Sequence, residues 1–475
     1  MTTPVSLPGA RTEFVKAITR LDAIALVVGS MIGSGIFIVS ADITRQVHTP
    51  GLLLAVWAVA GAVTLLGAVT YGELAAMFPR AGGQYVYLRE GISPLFGFLY
   101  GWTLFAVIQT ATIAAVAVAF AKFTAVLFPA LTPDVFLGGT VGGYQLGLSW
   151  QRAFAILSVV LLTWINVRGV RTAALIQTTL TIVKTGALAA LVVFGISIGR
   201  NADAIAANFG PAFWPAGGFT TALLPVIGAA MVGALFSMDA WNNVGFAAGE
   251  LKNPERDVPF AMAAGVGLVT LLYVLANVAY LNVLPLEAIA NAPQDRVGTA
   301  ALQAMFGDAG LYLMAAAIMI STFGCNNGLI LSGARVYYAM ARDDLFFLRR
   351  AGDLHPVHRT PTVALVVQAV WTSLLCLSGT YGQLLDYIIF AAVLFYSLTI
   401  VGLFALRVKR PELPRPVRAP GYPVLPALYV VATGMICVNL LIQKPLYTWP
   451  GLIIVALGVP VYFVWRGIGR GKRTA

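Results

Sequence analysis

Twelve apolar runs of bilayer-crossing length follow one another along this chain, and they leave few folds open to it. They lie near residues 21–47, 51–78, 93–128, 152–167, 172–198, 220–249, 258–285, 308–341, 361–379, 383–407, 422–442 and 447–466. A helix needs about 20 apolar residues to span the hydrocarbon, whereas a barrel strand needs about half that. Unpaired backbone groups find no water in lipid, so runs of this length must be helices. Composition agrees: 59% of residues are hydrophobic and 10% charged, against about 25% charged in soluble domains. The expected fold class is an all-α integral membrane protein with twelve transmembrane helices.

The net charge of +11 would fit a nucleic-acid partner only if it formed a basic domain or helix face, and it does neither. It sits in short loops between the apolar runs. With the N-terminus placed in the cytoplasm, inside-facing loops carry most of the Lys and Arg, while Arg45, Arg152, Arg200, Arg296 and Lys444 fall outside. That ratio, roughly four to one, puts both termini inside by the positive-inside rule. The location expected is the cell (inner) membrane, with the lipid bilayer as surroundings and no nucleic acid. The first apolar run exceeds a signal-peptide core and lacks a small-residue cleavage site, so no cleaved leader is expected. Cys325, Cys376 and Cys437 all lie in apolar runs and read as small buried hydrophobes. His48, His355 and His358 lie in loops or at span ends and form no metal site.

Two runs are interrupted. The first contains Val28-Gly-Ser-Met-Ile-Gly-Ser-Gly-Ile-Phe37. Each glycine weakens a helix interior by roughly 1 kcal/mol, so the cluster predicts a helix that breaks. The sixth contains Gly233-Ala-Leu-Phe-Ser-Met-Asp-Ala-Trp-Asn-Asn243, where a carboxylate, a serine and two asparagines interrupt the run. Broken backbone is tolerated in a membrane only where it is buried in protein or lines a cavity. Spans 1 and 6 are corresponding members of two five-span halves, the pattern of an inverted-repeat transporter. The expected organisation is a cytoplasmic tail 1–20, a first half 21–200, an inverted second half 219–408, two extra helices within 421–467, and a cytoplasmic tail 468–475.

A break exposes two helix ends. The half after it presents N–H groups and a positive dipole end that suits a carboxylate. The half before it presents carbonyls that suit an ammonium. A zwitterionic amino acid carries both groups. The N–H groups of Gly33, Ser34 and Gly35 are the expected carboxylate site. The carbonyls of Met31 and Ile32, with those near Phe236 and Asp239, are the expected ammonium site. Glycine lets backbone approach the ligand closely. Gly29 and Gly33 taken alone would read as a small-residue packing face.

At this point the residues resemble the amino acid–polyamine–organocation (APC) superfamily, and within it the L-type amino acid transporter (LAT) family. The resemblance rests on Ile32-Gly-Ser-Gly-Ile-Phe37, Tyr71-Gly-Glu-Leu with Phe78-Pro-Arg-Ala-Gly-Gly-Gln-Tyr-Val-Tyr87, Leu235-Phe-Ser-Met-Asp-Ala-Trp-Asn-Asn243 and Gly249-Glu-Leu-Lys-Asn-Pro-Glu-Arg-Asp-Val-Pro259. It covers nearly the whole chain. It implies a leucine-transporter-like 5+5 inverted-repeat core, alternating access, and sodium-independent exchange of amino acids. It places Phe236 where the family has an aromatic gate, with Ser237 and Trp241 beside the break. Met238 and Asp239 depart from the family's commoner aromatic-glycine pair, which leaves side-chain selectivity open. Family members that pair with a glycoprotein heavy chain use a cysteine between spans 3 and 4. The loop from about 129 to 150 has none, so no heavy-chain partner is expected.

Charges within spans default to functional roles. Lys184 stands alone in span 5. In this fold a sodium ion often clamps span 1 to span 8, and the Lys184 ammonium is the expected substitute for it, with Ser321 or Cys325 as partners. The resemblance implies the same role. Asp239 has three readings: ligand for a cationic substrate, carrier of a coupled proton, or cap of a half-helix. Glu73 and Asp386 read as partners of loop arginines, and Arg335 as reaching the cytoplasmic surface. The function expected is therefore a sodium-independent exchanger (antiporter) of neutral L-amino acids, with no cofactor and no metal. The alternatives are a proton-coupled symporter using Asp239 or Glu73, or a cationic amino acid or polyamine transporter using Asp239. An integral-membrane enzyme is disfavoured, because no clustered aspartates or histidines supply its chemistry. A channel would need a pore-lining ring of like residues, which is also missing.

Overall fold

The computed structural model describes residues 13–141, 144–377, 381–443 and 445–471. Most of the expected N-terminal tail, Lys444, residues 472–475 and the side chain of Asp386 lie outside the described residues. The first apolar run forms two helices, α1 (Arg20–Met31) and α2 (Gly35–Val47). Thr19 and Asp22 cap α1 reciprocally, which satisfies two donors that a helix start leaves unpaired. α3 (Pro50–Met77) opens on a proline, whose missing N–H costs nothing at that position, and α4 (Gln84–Gly91) is a short helix after it. α5 (Pro94–Thr103) and α6 (Gln109–Leu127) are joined through a π-helical turn at Leu104–Ile108. α7 (Trp150–Val167) and α8 (Val170–Ser197) follow, then the short α9 (Ala202–Asn208).

The sixth run forms α10 (Leu223–Ser237), an irregular stretch, and one turn of helix, α11 (Asn243–Phe246). Then come α12 (Pro254–Val283), the short α13 (Leu286–Ala290), α14 (Val297–Arg342), α15 (Thr362–Cys376), α16 (Tyr381–Lys409), α17 (Val424–Gln443) and α18 (Pro445–Gly471). Among the described residues, ten helical segments are long and apolar enough to cross a membrane, with α1 and α2 counted together. The shorter apolar helices α10 and α15 stand where the sixth and ninth spans were expected.

Two expectations need correction. The chain is not purely helical: β1 (Val135–Val141) and β2 (Tyr144–Ser149) pair antiparallel between α6 and α7. Gly138 and Gly147 face each other with φ of 146° and 140°. A Cβ on either would lie 2.1–2.2 Å from a carbonyl of the other strand, so these glycines permit the pairing rather than disrupt it. The eighth run begins near 308 as expected, and a further helical stretch from Val297 meets it at a kink at Gly307, where the backbone leaves helical geometry at φ 61°. Arg335 does not reach a surface. It is 1% exposed and makes a bidentate pair with Glu250, at 3.0 Å to each oxygen.

Packing places α1 among α8, α12 and α14, while α10 lies on α2 and α12 lies on α3. The first helix is therefore surrounded by partners that can reach its broken end.

Candidate functional site

Helix α1 stops where Gly33-Ser-Gly35, of low helix propensity, begins. Its last regular bond is Ile32 N–H to the Val28 carbonyl at 2.9 Å, after which Gly33 N–H turns back to Met31 at 2.9 Å. A helix end leaves its last carbonyls without intrahelical partners, and here each finds a donor from another helix. Lys184 Nζ donates to Gly29 O at 2.5 Å, to Ile32 O at 2.7 Å and to Ser321 O at 3.2 Å. Ser321 Oγ donates to Ile32 O at 3.1 Å or Gly33 O at 3.0 Å. Cys325 Sγ donates to Ser30 O at 3.0 Å. Tyr273 OH lies 3.0 Å from Met31 O.

Ser321 and Cys325 are four residues apart on α14, hence on one face. Lys184 is 1% exposed. Its charge faces three carbonyls of α1 and α14 and, among the described residues, no carboxylate within ion-pair distance. A buried charge needs such hydrogen bonds to offset lost hydration.

The second interruption lies against the first. α10 ends at Ser237, and Tyr273 OH is 3.1 Å from its carbonyl. One hydroxyl thus bridges the C-terminal ends of α1 and α10. Gly35, at the start of α2, packs on the same residue: a Cβ there would lie 2.2 Å from Ser237 Oγ and 3.1 Å from Ser237 Cα. Only glycine permits this approach. Beyond Ser237 the backbone turns through Ala240 at φ 67°, a left-handed conformation that costs a non-glycine residue about 1–2 kcal/mol.

Of the residues expected from sequence, Met31, Ile32, Gly33, Ser34 and Gly35 form the first junction, and Phe236 and Ser237 adjoin it. Lys184, Ser321 and Cys325 meet it from α8 and α14. Asp239 and Trp241 turn to another side. Asp239 accepts from Tyr396 OH at 2.5 Å. Trp241 packs edge-on against Tyr71 at 4.8 Å and tilted against Tyr396 at 5.2 Å. Asn242 donates to Gln84 at 2.7 Å, and Gln84 to Thr399 at 3.0 Å. Ile32 O already accepts from Lys184 at 2.7 Å and lies within reach of the Ser321 hydroxyl. Sequence reasoning missed Tyr273 and Tyr396, since a tyrosine in an apolar run carries no pattern that sets it apart from a packing residue.

The segment before α1 pairs with the chain after α11. Ile18 N–H donates to Glu250 O at 3.0 Å, and Lys252 N–H to Ile18 O at 3.1 Å. Arg20 pairs with Asp257 at 2.7 Å, and Phe14 meets Tyr338 edge-on at 4.8 Å. Glu73, fully buried, binds Arg407, Arg415 and the Ala419 N–H, which ties α3 to α16 and to the segment after it. Among the described residues no group of three or more His, Cys, Asp or Glu side chains could hold a metal ion.

A sequence-family model described as amino acid permease matches residues 18–464. The chain belongs to this family. The permease is similar to the human large neutral amino acids transporter small subunit 2, at 31% identity over 96% of this chain and 81% of that one. It is equally similar to the serine/threonine exchanger SteT of Bacillus subtilis, at 31% over 97% and 98% of the two chains. The mouse Asc-type amino acid transporter 1 is 30% identical over 96% of this permease and 83% of that protein.

Proposed function

We propose that this permease is a sodium-independent exchanger of neutral L-amino acids. The observation that carries the reading is the Lys184 ammonium bound by Gly29 O, Ile32 O and Ser321 O. It supplies a fixed positive charge between the broken first helix and α14, and therefore removes the need for a bound cation there. Relatives described as amino acid transporters and as a serine/threonine exchanger support the substrate class and the mode of transport.

In this reading the N-terminus of α2, from Gly33 to Gly35, receives the substrate carboxylate. Met31 O and Ser237 O, both within reach of the Tyr273 hydroxyl, receive the ammonium. Phe236 covers the site. Spans 1–5 and 6–10 form an inverted 5+5 core, α17 and α18 lie outside it, and both termini face the cytoplasm of a cell membrane. The protein transports its substrate without transforming it. The relative named a small subunit raises the question of a heavy chain. Cys325, Cys376 and Cys437 are all buried and residues 129–150 contain no cysteine, which supports function without a disulfide-linked partner.

Counterflow in proteoliposomes with a panel of amino acids, with and without sodium or pH gradients, tests this. Uptake should require internal amino acid and be indifferent to sodium. Strict dependence on a sodium gradient overturns the Lys184 assignment. A second reading, proton-coupled symport, is favoured by one observation: Asp239 is a buried carboxylate whose side-chain partner is the neutral Tyr396 hydroxyl. Glu73 is engaged by two arginines, so Asp239 is the carboxylate for that reading. Accumulation driven by a pH gradient without internal substrate would establish it.

A further inference from the structure

The charged turn Lys252-Asn-Pro-Glu-Arg-Asp257 takes no part in the helix-end site. It leads into α12 and lies against the segment before α1, to which Ile18 and Lys252 bond it through their backbones. Between the two is an open cleft of about 600 Å³, lined among others by Lys16, Arg20, Lys252, Glu255 and Arg256. We infer that this cleft binds the phosphodiester headgroup of an acidic phospholipid, which clamps the start of α1 to the start of α12.

Four basic side chains converge on the cleft from two stretches of chain far apart in sequence. Arg20 Nε donates to Asp257 at 2.7 Å, and the guanidinium lies over the Phe260 ring at 5.3 Å. Its two Nη groups carry four more N–H donors. Lys16, Lys252 and Arg256 are exposed. Among the described residues, none of the three has a carboxylate within ion-pair distance. Against the four cations stand Glu255 in the lining and Asp257 paired with Arg20. Two positive charges therefore remain without a counter-charge. A phosphate group takes charge-assisted hydrogen bonds from several Arg and Lys side chains at once, so it is the complement of this cleft.

The surface beside the cleft points to a lipid rather than a free anion. α1 and α12 both run from it into bilayer-length apolar segments. Leu21 opens the first, and Phe260, Leu268 and Leu271 lie along the second, all of them exposed. At 3.6 residues per turn these three α12 side chains fall within an arc of about 80°. The apolar stripe thus starts at the basic cleft and continues into the membrane. A headgroup held in the cleft lays its acyl chains on that stripe. Basic clusters at the end of a membrane helix recognise anionic headgroups in this way.

Thermal melts of the purified full chain in neutral detergent provide the test, with phosphatidylglycerol, phosphatidylcholine or glycerol phosphate titrated in. Phosphatidylglycerol should raise the melting temperature of the wild type, and the other two should not. Each basic side chain at an anionic membrane surface is worth about a fivefold change in binding. Lys252→Gln combined with Arg256→Gln should therefore raise the phosphatidylglycerol concentration at half-effect by about twentyfold. Both side chains are exposed, so the change removes charge rather than packing. Arg349→Gln combined with Arg350→Gln removes two exposed cations elsewhere and should leave the half-effect concentration unchanged. Equal stabilisation of the wild type by phosphatidylglycerol and phosphatidylcholine overturns the inference, and that comparison needs no variant. Stabilisation by glycerol phosphate at matched concentration overturns the lipid assignment. An unchanged titration in the Lys252 and Arg256 double variant, or an equal shift in both double variants, overturns the site. None of these measurements involves transport, so the exchange reading stands or falls separately.

Discussion

In the proposed reading Lys184 replaces a dissociable ion. Its ammonium is bonded to Gly29 O and Ile32 O at the end of α1 and to Ser321 O of α14. Removing it leaves buried carbonyls unpaired at a cost of about 1–3 kcal/mol each. Lys184→Ala should therefore lower exchange by at least about tenfold, the equivalent of 1.4 kcal/mol, and reduce the melting temperature in detergent. Exchange assays and thermal melts check this, and normal exchange by the variant would show that the ammonium does not hold the two helices in working register. Lys184 was conspicuous in sequence as the single charge of its span. Tyr273 was not, although it joins Met31 and Ser237, because its apolar neighbours make it look like packing.

At the scale of elements, the notable pairings are between helices distant in sequence. Arg335 of α14 and Glu250 after α11 form a bidentate pair with both side chains 1% exposed. The Glu250 carbonyl also accepts from Ile18, so the pair anchors the segment before α1. Removing one partner strands a buried charge at about 3–5 kcal/mol, whereas replacing both with apolar residues is often near neutral. Arg335→Met alone should destabilise more than Arg335→Met combined with Glu250→Leu, measured by thermal melts as a double-mutant cycle. Additive single effects would mean the pair carries no coupling. The helix limits themselves were largely legible, since hydrophobic length and glycine clusters act locally. The β1–β2 hairpin was not, because Gly138 and Gly147 at positive φ permit a close strand pairing that no local pattern announces.

For the whole molecule, the distribution of Lys and Arg makes a prediction about sidedness. Lys252 lies in a loop assigned to the cytoplasm and Asp203 in α9 on the opposite side, and both are exposed. Lys252→Cys and Asp203→Cys should react with an impermeant maleimide from opposite faces of sealed vesicles. Low background follows from burial of Cys325, Cys376 and Cys437. Labelling of both variants from one face would refute the orientation and with it the odd number of spans in each half.

The amino-acid sequence by itself determined that this chain is a helical membrane protein whose first and sixth apolar runs cannot stay regular. Those properties depend on residues close together, through apolar length, helix propensity and loop charge. What only the tertiary structure decided is which groups meet at the interruptions. Lys184 reaches Gly29 across 155 residues, and Ser321 reaches Ile32 across 289. Tyr273 bridges two helix ends, and Arg335 turns inward to Glu250 rather than outward to water. A buried carbonyl or charge must find a partner, but local sequence does not say which of several distant helices will bring one. Packing of α8, α12 and α14 around α1 makes that choice.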